Sequence, residues 1–89
     1  MCWVEKVLDI LQTCDLTIDH ELVYKSFYEG VLAHYDDKLI GWVYKNFNGT
    51  YGIMFGDYDS CRVCANIIEA KDWMKELLDD HINFIKRNL

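Results

Sequence analysis

A chain of 89 residues, 52% of them hydrophobic and 15% aromatic, can bury one small core, which excludes a disordered protein and predicts a single domain over residues 1–89. Its 15 acidic and 9 basic residues give a net charge of −6, which argues against direct nucleic-acid binding because phosphate contacts need clustered Lys and Arg. No apolar run approaches the roughly 18 residues of a membrane span.

The N-terminal stretch is apolar but has Glu5 and Asp9 inside it and no basic leader, so we expect no signal peptide. This favours a cytoplasmic protein, in which the four cysteines stay reduced rather than forming disulfides. The Asn48-Gly49-Thr50 sequon is then interpreted as a turn and not as a glycosylation site.

The first predicted element is an amphipathic helix over residues 3–12, in which apolar residues recur at helical spacing. Thr13-Cys14-Asp15 breaks this pattern. Residues 17–29 fit a helix loosely, but the segment LVYKSFY is rich in strand formers. We therefore favour an irregular segment that ends in a strand.

The middle of the chain predicts an antiparallel meander of short strands. VLAHY and KLIGWVYK flank the two-residue turn Asp36-Asp37, and Asn48-Gly49 is a typical type I′ hairpin turn before YGIMF. GDYDS is another turn, and CRVCA is interpreted as a fourth strand. One face of KLIGWVYK carries Leu39, Gly41 and Val43, and the other carries Ile40, Trp42 and Tyr44. Either both faces are covered, or an aromatic face serves self-association in a homodimer.

The last predicted element is a long amphipathic helix that begins after Asn66. Asn66 and Glu69 have the spacing of a capping box, and Lys86 and Arg87 suit the negative end of the helix dipole. The alternative is one helix from Ser60 to the end. The favoured fold class is therefore α+β: an N-terminal helix, a three- to four-stranded antiparallel meander, and a C-terminal amphipathic helix packed on the sheet.

The motif Cys61-x-x-Cys64 is the first candidate for chemistry. Residues i and i+3 of a strand point to opposite faces, so these cysteines cannot share a metal unless the backbone turns between them. A zinc-binding module is the alternative. Neither the three histidines nor the five glycines form a catalytic or phosphate-binding pattern, so we expect no enzyme and no cofactor.

The acidic turns are the second candidate. Alternate turns of a meander lie at one end of the sheet, and the last helix returns towards that end at about 1.5 Å per residue. We therefore expect an acidic end with tyrosines among the carboxylates; its members are Asp36, Asp37, Asp57, Asp59, Asp79, Asp80, Tyr35 and Tyr58. It is interpreted as an ordinary solvated end, as a cation site, or as a surface that meets a basic partner.

Residues 38–80 resemble a layout of small proteins encoded by phages and prophages. In this layout a short meander with Gly-Trp-Val and an Asn-Gly turn leads into a capped helix, here NIIEAKDWMKELL. The resemblance covers about half of the chain, through a generic motif. It implies a small accessory protein without catalysis, of the kind that includes anti-CRISPR and other anti-defence inhibitors, acting in the host cytoplasm.

The leading functional expectation is an acidic, non-enzymatic inhibitor that occupies a basic nucleic-acid-binding surface on a larger protein complex. The alternative is a small dimeric interaction module that uses an aromatic surface, with charge serving only solubility. The zinc-binding module is the third hypothesis.

Overall fold

The computed structural model describes residues 5–56, 58–59 and 62–88. They form two helices around a five-stranded sheet whose order follows the sequence, with every neighbouring pair antiparallel. This confirms the predicted α+β class. The elements are α1 (Glu5–Gln12), β1 (Leu22–Phe27), β2 (Gly30–Tyr35), β3 (Lys38–Lys45), β4 (Tyr51–Phe55), β5 (Tyr58–Asp59) and α2 (Ile67–Arg87).

Both helices pack on the same face of the sheet, which we call the covered face. Helix α1 contributes Val7 and Leu11 to the core, and α2 contributes residues at helical spacing such as Met74 and Leu78. These side chains meet the inward residues of the strands, of which Phe55 on β4 is the largest that is completely buried. The long α2 forms its contacts with the sheet mainly on β4.

Helix α2 begins where its cap was predicted. The Asn66 side-chain oxygen accepts a hydrogen bond of 2.8 Å from the backbone N–H of Glu69. The alternative of one helix from Ser60 is wrong, because Cys64 is still extended and exchanges two backbone hydrogen bonds of 2.8 Å with Tyr51.

The strands differ from expectation at two places. Residues 17–29 do end in a strand, β1, which lies at one edge of the sheet. The predicted strand CRVCA is wrong: Cys64 forms only an isolated bridge, and the fifth strand is the earlier pair Tyr58–Asp59. Cys61 lies outside the described residues.

Of the three predicted turns, GDYDS is wrong at Tyr58 and Asp59, which form β5, and the other two have different outcomes. Asp36 and Asp37 both have positive φ, +51° and +60°, and form the expected two-residue turn between Tyr35 and Lys38. The Asn48-Gly49 turn is not of type I′, since only Gly49 is left-handed, at φ +84°. Asn48 instead uses its side-chain oxygen to accept hydrogen bonds from the N–H and hydroxyl of Thr50.

A β-bulge in β3 changes the faces that alternation predicts. Ala33 of β2 pairs with Gly41, but His34 pairs with Leu39, which leaves Ile40 as an extra residue. Ile40 is therefore buried with Val43 on the covered face. The expectation that it shares a face with Trp42 and Tyr44 is wrong because strict alternation fails at the bulge.

Candidate protein-interaction surfaces

The turn between β2 and β3 forms the centre of the expected acidic end. The Asp36 carboxylate lies 3.6 Å from the Lys38 ammonium and 3.6 Å from His20 Nδ1. The other ring nitrogen of His20 lies 2.9 Å from the carbonyl oxygen of Asp15. Asp37 is exposed beside this group. The turn therefore combines carboxylates with cationic or titratable partners.

Helix α2 brings Asp79 to the same end of the molecule. It lines a cleft of about 480 Å³ with Asp19, His20, Lys75 and Lys86. Asp79 also forms an exposed ion pair with Lys75, one helical turn earlier, at 3.5 Å. The charges in this cleft have both signs. Sequence reasoning placed Asp36 and Asp79 at this end but left out the lysines, although the spacing of Lys75 and Asp79 was a readable signal.

Three residues expected at the acidic end have other positions or roles: Tyr35, Asp80 and Asp59. Tyr35 is only 5% exposed, with its ring edge-on to His20 at 5.2 Å, so it is a core residue rather than a surface anchor. Burial raises the pKa of its hydroxyl. Asp80 is half-buried on α2, where its charge acts on the neighbouring His81.

Asp59 also departs from the expected acidic end. Strand β5 turns back along β4, which sets Asp59 opposite Met54. Its carboxylate accepts hydrogen bonds of 3.1 and 3.2 Å from the Tyr44 hydroxyl, two strands away. Asp59 therefore belongs to the face of the sheet that carries Tyr44. Asp57 and the side chain of Tyr58 lie outside the described part of the structure.

The face of the sheet opposite the two helices is the second candidate surface, which we call the open face. Its central row crosses all five strands through successive pairs; the row is Lys25, Leu32, Trp42, Met54 and Asp59. Three apolar side chains thus lie between a base at one edge and an acid at the other. This arrangement is apolar in the middle and charged at its rim, as in many protein interfaces.

Further apolar side chains extend the open face on both sides of this row. Val23 and Leu39 flank His34 in the neighbouring row, and they are 43% and 46% exposed. Phe27 lies on the opposite side of the central row from Val23 and is 45% exposed. Sequence reasoning recognised the apolar character of β3 but missed β1, where Val23, Lys25 and Phe27 alternate with inward residues.

An aromatic notch interrupts the open face at Gly30. It is a cavity of about 180 Å³ lined by Phe27, Trp42 and Tyr44, together with Tyr28. Gly30 forms its floor because the backbone is too close for any side chain: a Cβ there would lie 1.8 Å from the Val43 carbonyl oxygen. Small-molecule sites usually enclose about 300–1,000 Å³, so this notch suits a single side chain.

Tyr28 at the rim of the notch has a strained backbone. Its φ is +52°, and its side chain is 93% exposed with the ring edge-on to Phe27. A left-handed conformation costs a residue with a side chain about 1–2 kcal/mol. Such strain concentrates at functional positions, and here it holds an aromatic ring in solvent beside an open cavity.

On the open face, the ring of Tyr44 lies over Gly52. A Cβ on Gly52 would be 2.5 Å from the Tyr44 ring. The missing side chain lets the ring cross β4 and reach Asp59. The face is therefore shaped by two glycines, Gly30 under the notch and Gly52 under Tyr44.

Among the described residues, two cysteines and one histidine are buried: Cys14, Cys64 and His81. Burial raises the thiol pKa of Cys14 and of Cys64, which disfavours the reactive thiolate. His81 lies fully inside the core, where burial lowers the pKa of its ring. Among the described residues, no group of three or more His, Cys, Asp or Glu side chains is arranged to hold a metal ion.

Within the described ranges, no helix combines the length and apolar character that a membrane crossing requires. Comparisons of the chain with protein-family models, with curated proteins and with solved structures found no match.

Proposed function

We propose that this protein is a non-enzymatic interaction module that binds a protein partner through the open face of its sheet. The observation that carries the proposal is the set of half-exposed apolar residues Val23, Phe27 and Leu39 around the Leu32–Trp42–Met54 centre. Contiguous exposed apolar patches mark interaction sites because a soluble monomer gains nothing by displaying them. Aromatic residues with a polar atom are enriched among binding hot spots, and this face has Trp42, Tyr44 and Tyr28.

The rim of the open face gives the partner an orientation. Lys25 and Asp59 lie at opposite edges of the central row. Opposite charges at the two edges favour one docking direction over its reverse, because only one juxtaposes unlike charges. An apolar side chain of the partner would enter the notch at Gly30. The partner is then recognised both by the shape of the centre of the face and by the charges at its rim.

The test is capture of partners from cells of the source organism with matched surface variants. Leu39→Ser removes a half-exposed apolar side chain from the open face, and Ile68→Ser removes one that is 69% exposed on α2. We expect Leu39→Ser to lose a partner that the wild type and Ile68→Ser both retain. A partner that is lost equally from both variants, or from Ile68→Ser alone, would contradict the proposal.

The acidic inhibitor of the anti-CRISPR or anti-defence kind is our second candidate function. It is favoured by the position of Asp36, Asp37 and Asp79 at one end of a chain whose net charge is −6. Its partner would be a protein with a basic, nucleic-acid-binding surface. Lys38 and Lys75 reduce the local negative charge, which is why this candidate comes second.

Charge reversal separates the two candidates. Asp37→Lys alters the acidic end, and Asp9→Lys makes the same change of net charge on an exposed position of α1. An acidic inhibitor loses affinity with Asp37→Lys far more than with Asp9→Lys, and its affinity falls steeply with added salt. Binding through the open face is nearly unchanged by either variant.

A further inference from the structure

Among the described residues, strand β1 leaves one edge of the sheet without a neighbouring strand. It pairs with β2 through six consecutive residue pairs without a register shift, and no other strand of the described part of the chain lies beyond it. Proteins usually guard such an edge with a proline, a bulge, a very short strand or a charged side chain, and of these β1 has only Lys25. The chain has no proline, and β1 is regular over its whole length, whereas the opposite edge strand, β5, has only two residues.

The pairing with β2 determines which backbone groups of β1 point outwards. Phe27 and Gly30 close a two-residue turn, so they form a hydrogen-bonded pair. Hydrogen-bonded and non-bonded pairs alternate along antiparallel strands, so Lys25 and Val23 also direct their groups towards β2. The N–H and C=O groups of the intervening residues, Leu22, Tyr24 and Ser26, therefore face away from the sheet.

The charges along this edge are arranged symmetrically about Val23. Glu21 lies two residues before it and Lys25 two residues after it, and both are exposed. Side chains two residues apart in extended backbone share a face. An antiparallel neighbour with the same sequence, centred on Val23, would place Lys25 opposite Glu21 of the other copy, and this pair would occur twice.

Two other registers that pair the outward backbone groups lack this match. Centring on Tyr24 sets Lys25 opposite an apolar Val23, and centring on Lys25 sets two lysines opposite each other. Like charges directly opposite are destabilising in a sheet, while opposite charges contribute about 0.2–1 kcal/mol per pair. Centring on Leu22 sets Lys25 opposite Asp19, but within the two strands it pairs only Leu22, whereas the Val23 register pairs Leu22, Val23 and Tyr24 and needs only Glu21, which directly precedes the strand. Strand length and charge complementarity together therefore select the Val23 register.

We propose that two copies of this chain associate through antiparallel pairing of their β1 edges, with Val23 of each copy at the two-fold axis. The two five-stranded sheets become one continuous sheet, and the axis is perpendicular to it. All four helices then lie on the same side, and the two open faces join into one surface. The pairing uses the edge of the sheet and leaves the open face uncovered, but it shares the side chains of Val23 and Lys25 with the surface that is proposed to bind the partner.

Sedimentation equilibrium over a wide range of protein concentration tests the association with charge variants. Lys25→Glu and Glu21→Lys each replace two attractive pairs with two repulsive ones, and we expect each to weaken the dimer by about tenfold or more. The double variant, which exchanges the two residues, restores the wild-type affinity. Lys45→Glu, on an exposed position at the far end of β3, makes the same charge change and leaves the dimer intact.

A disulfide provides a second measurement that does not depend on weakening the dimer. In the proposed register the two Val23 residues form a non-hydrogen-bonded pair, with Cα atoms about 4.5 Å apart. That separation is within the range of disulfides, about 4.4–6.8 Å. The variant Val23→Cys should therefore crosslink two chains through position 23 on mild oxidation, and peptide mass spectrometry identifies the link.

The proposal is overturned if the wild type is monomeric at every concentration, as it would be if β1 receives a strand only from another protein. It is also overturned if both single variants dimerise as well as the wild type, since the interface then lies elsewhere. Circular dichroism of each variant shows that the fold is kept. Loss of the dimer with retained partner capture would affect this inference alone, and the reverse result would affect only the proposed function.

Discussion

The two faces of the sheet differ in burial far more than in composition. Ile53 and Phe55 on the covered face are completely buried, whereas Val23 and Leu39 on the open face keep more than two fifths of their surface in solvent. All four side chains are apolar and lie on strands. The difference arises because α1 and α2 both pack on one side of the sheet. Apolar sequence in a strand therefore does not by itself show that the strand is covered.

The two faces of the sheet therefore have different roles. Side chains under the helices provide most of the burial that stabilises the fold, at about 25 cal/mol for each Å² of apolar surface removed from water. Side chains on the open face still have this free energy to gain from a partner. Mutations on the two faces should therefore affect different properties, stability on one and binding on the other.

The largest contrast is expected between two phenylalanines. Phe55→Ala empties a fully buried site on the covered face and should lower the free energy of unfolding by about 3–5 kcal/mol. Phe27→Ala, on the open face, should lower it by less than about 1 kcal/mol. Urea unfolding measures both. Equal losses would show that the open face is also part of the core.

The next contrast concerns pH and the covered face. Burial lowers the pKa of His81 in the folded protein, so the unfolded chain binds its proton more readily. The neutral ring contributes its full stabilisation above the unfolded pKa of about 6.5, and this is lost as pH falls below that value. Urea unfolding should therefore show declining stability between neutral and mildly acidic pH.

The variant His81→Gln separates this effect from other titrations. Glutamine cannot take up a proton in this range, so the decline below neutral pH should become shallower. The matched control is Asn83→Gln, which places the same glutamine on an exposed position of α2 without removing a titratable group and should keep the wild-type decline. An unchanged decline in His81→Gln would contradict the assigned role of the buried ring.

A smaller loss of stability is expected from a change at the N-terminus of α2. Asn66→Ala removes the side-chain acceptor for the Glu69 N–H and should cost about 1 kcal/mol of stability. Asn83→Ala changes the same residue type at an exposed position inside α2 and should cost nothing, because alanine is the better helix former. A similar loss in both variants would mean that the cap contributes no specific stability.

The smallest contrast compares two tyrosine hydroxyls. Tyr24 donates to the Lys71 carbonyl oxygen under the helix, and burial raises its pKa to about 12. Tyr24→Phe should cost about 1 kcal/mol, a typical value for one internal hydrogen bond. Tyr44→Phe removes an exposed bond to Asp59 on the open face and should cost less. A larger loss of stability in Tyr44→Phe than in Tyr24→Phe would contradict this expectation.

Local signals in the sequence were enough to predict several elements. Helical spacing and the Asn66 cap located α2, and the pair Asp36-Asp37 located a two-residue turn. These features depend on residues close together in the chain. The bulge at Ile40 and the two-residue strand β5 were missed, because they depend on backbone pairing between strands rather than on the pattern within one strand.

The candidate surfaces were predictable only in part. The meander topology placed Asp36 at one end, and the direction of α2 placed Asp79 in the adjoining cleft. The position of Asp59 was missed because it follows from β5. The apolar strands left two alternatives, both faces covered or an exposed aromatic face, and did not indicate which side both helices would cover. That choice depends on contacts between distant parts of the chain.

Site-specific photocrosslinking in cells of the source organism tests the open face most directly. One variant carries a photoreactive phenylalanine at Leu39 on the open face, and the other carries it at Ile68 on α2; both positions are solvent-exposed. We predict that position 39 crosslinks to a partner protein and that position 68 does not. Crosslinks to the same partner from position 68, with none from position 39, would contradict it.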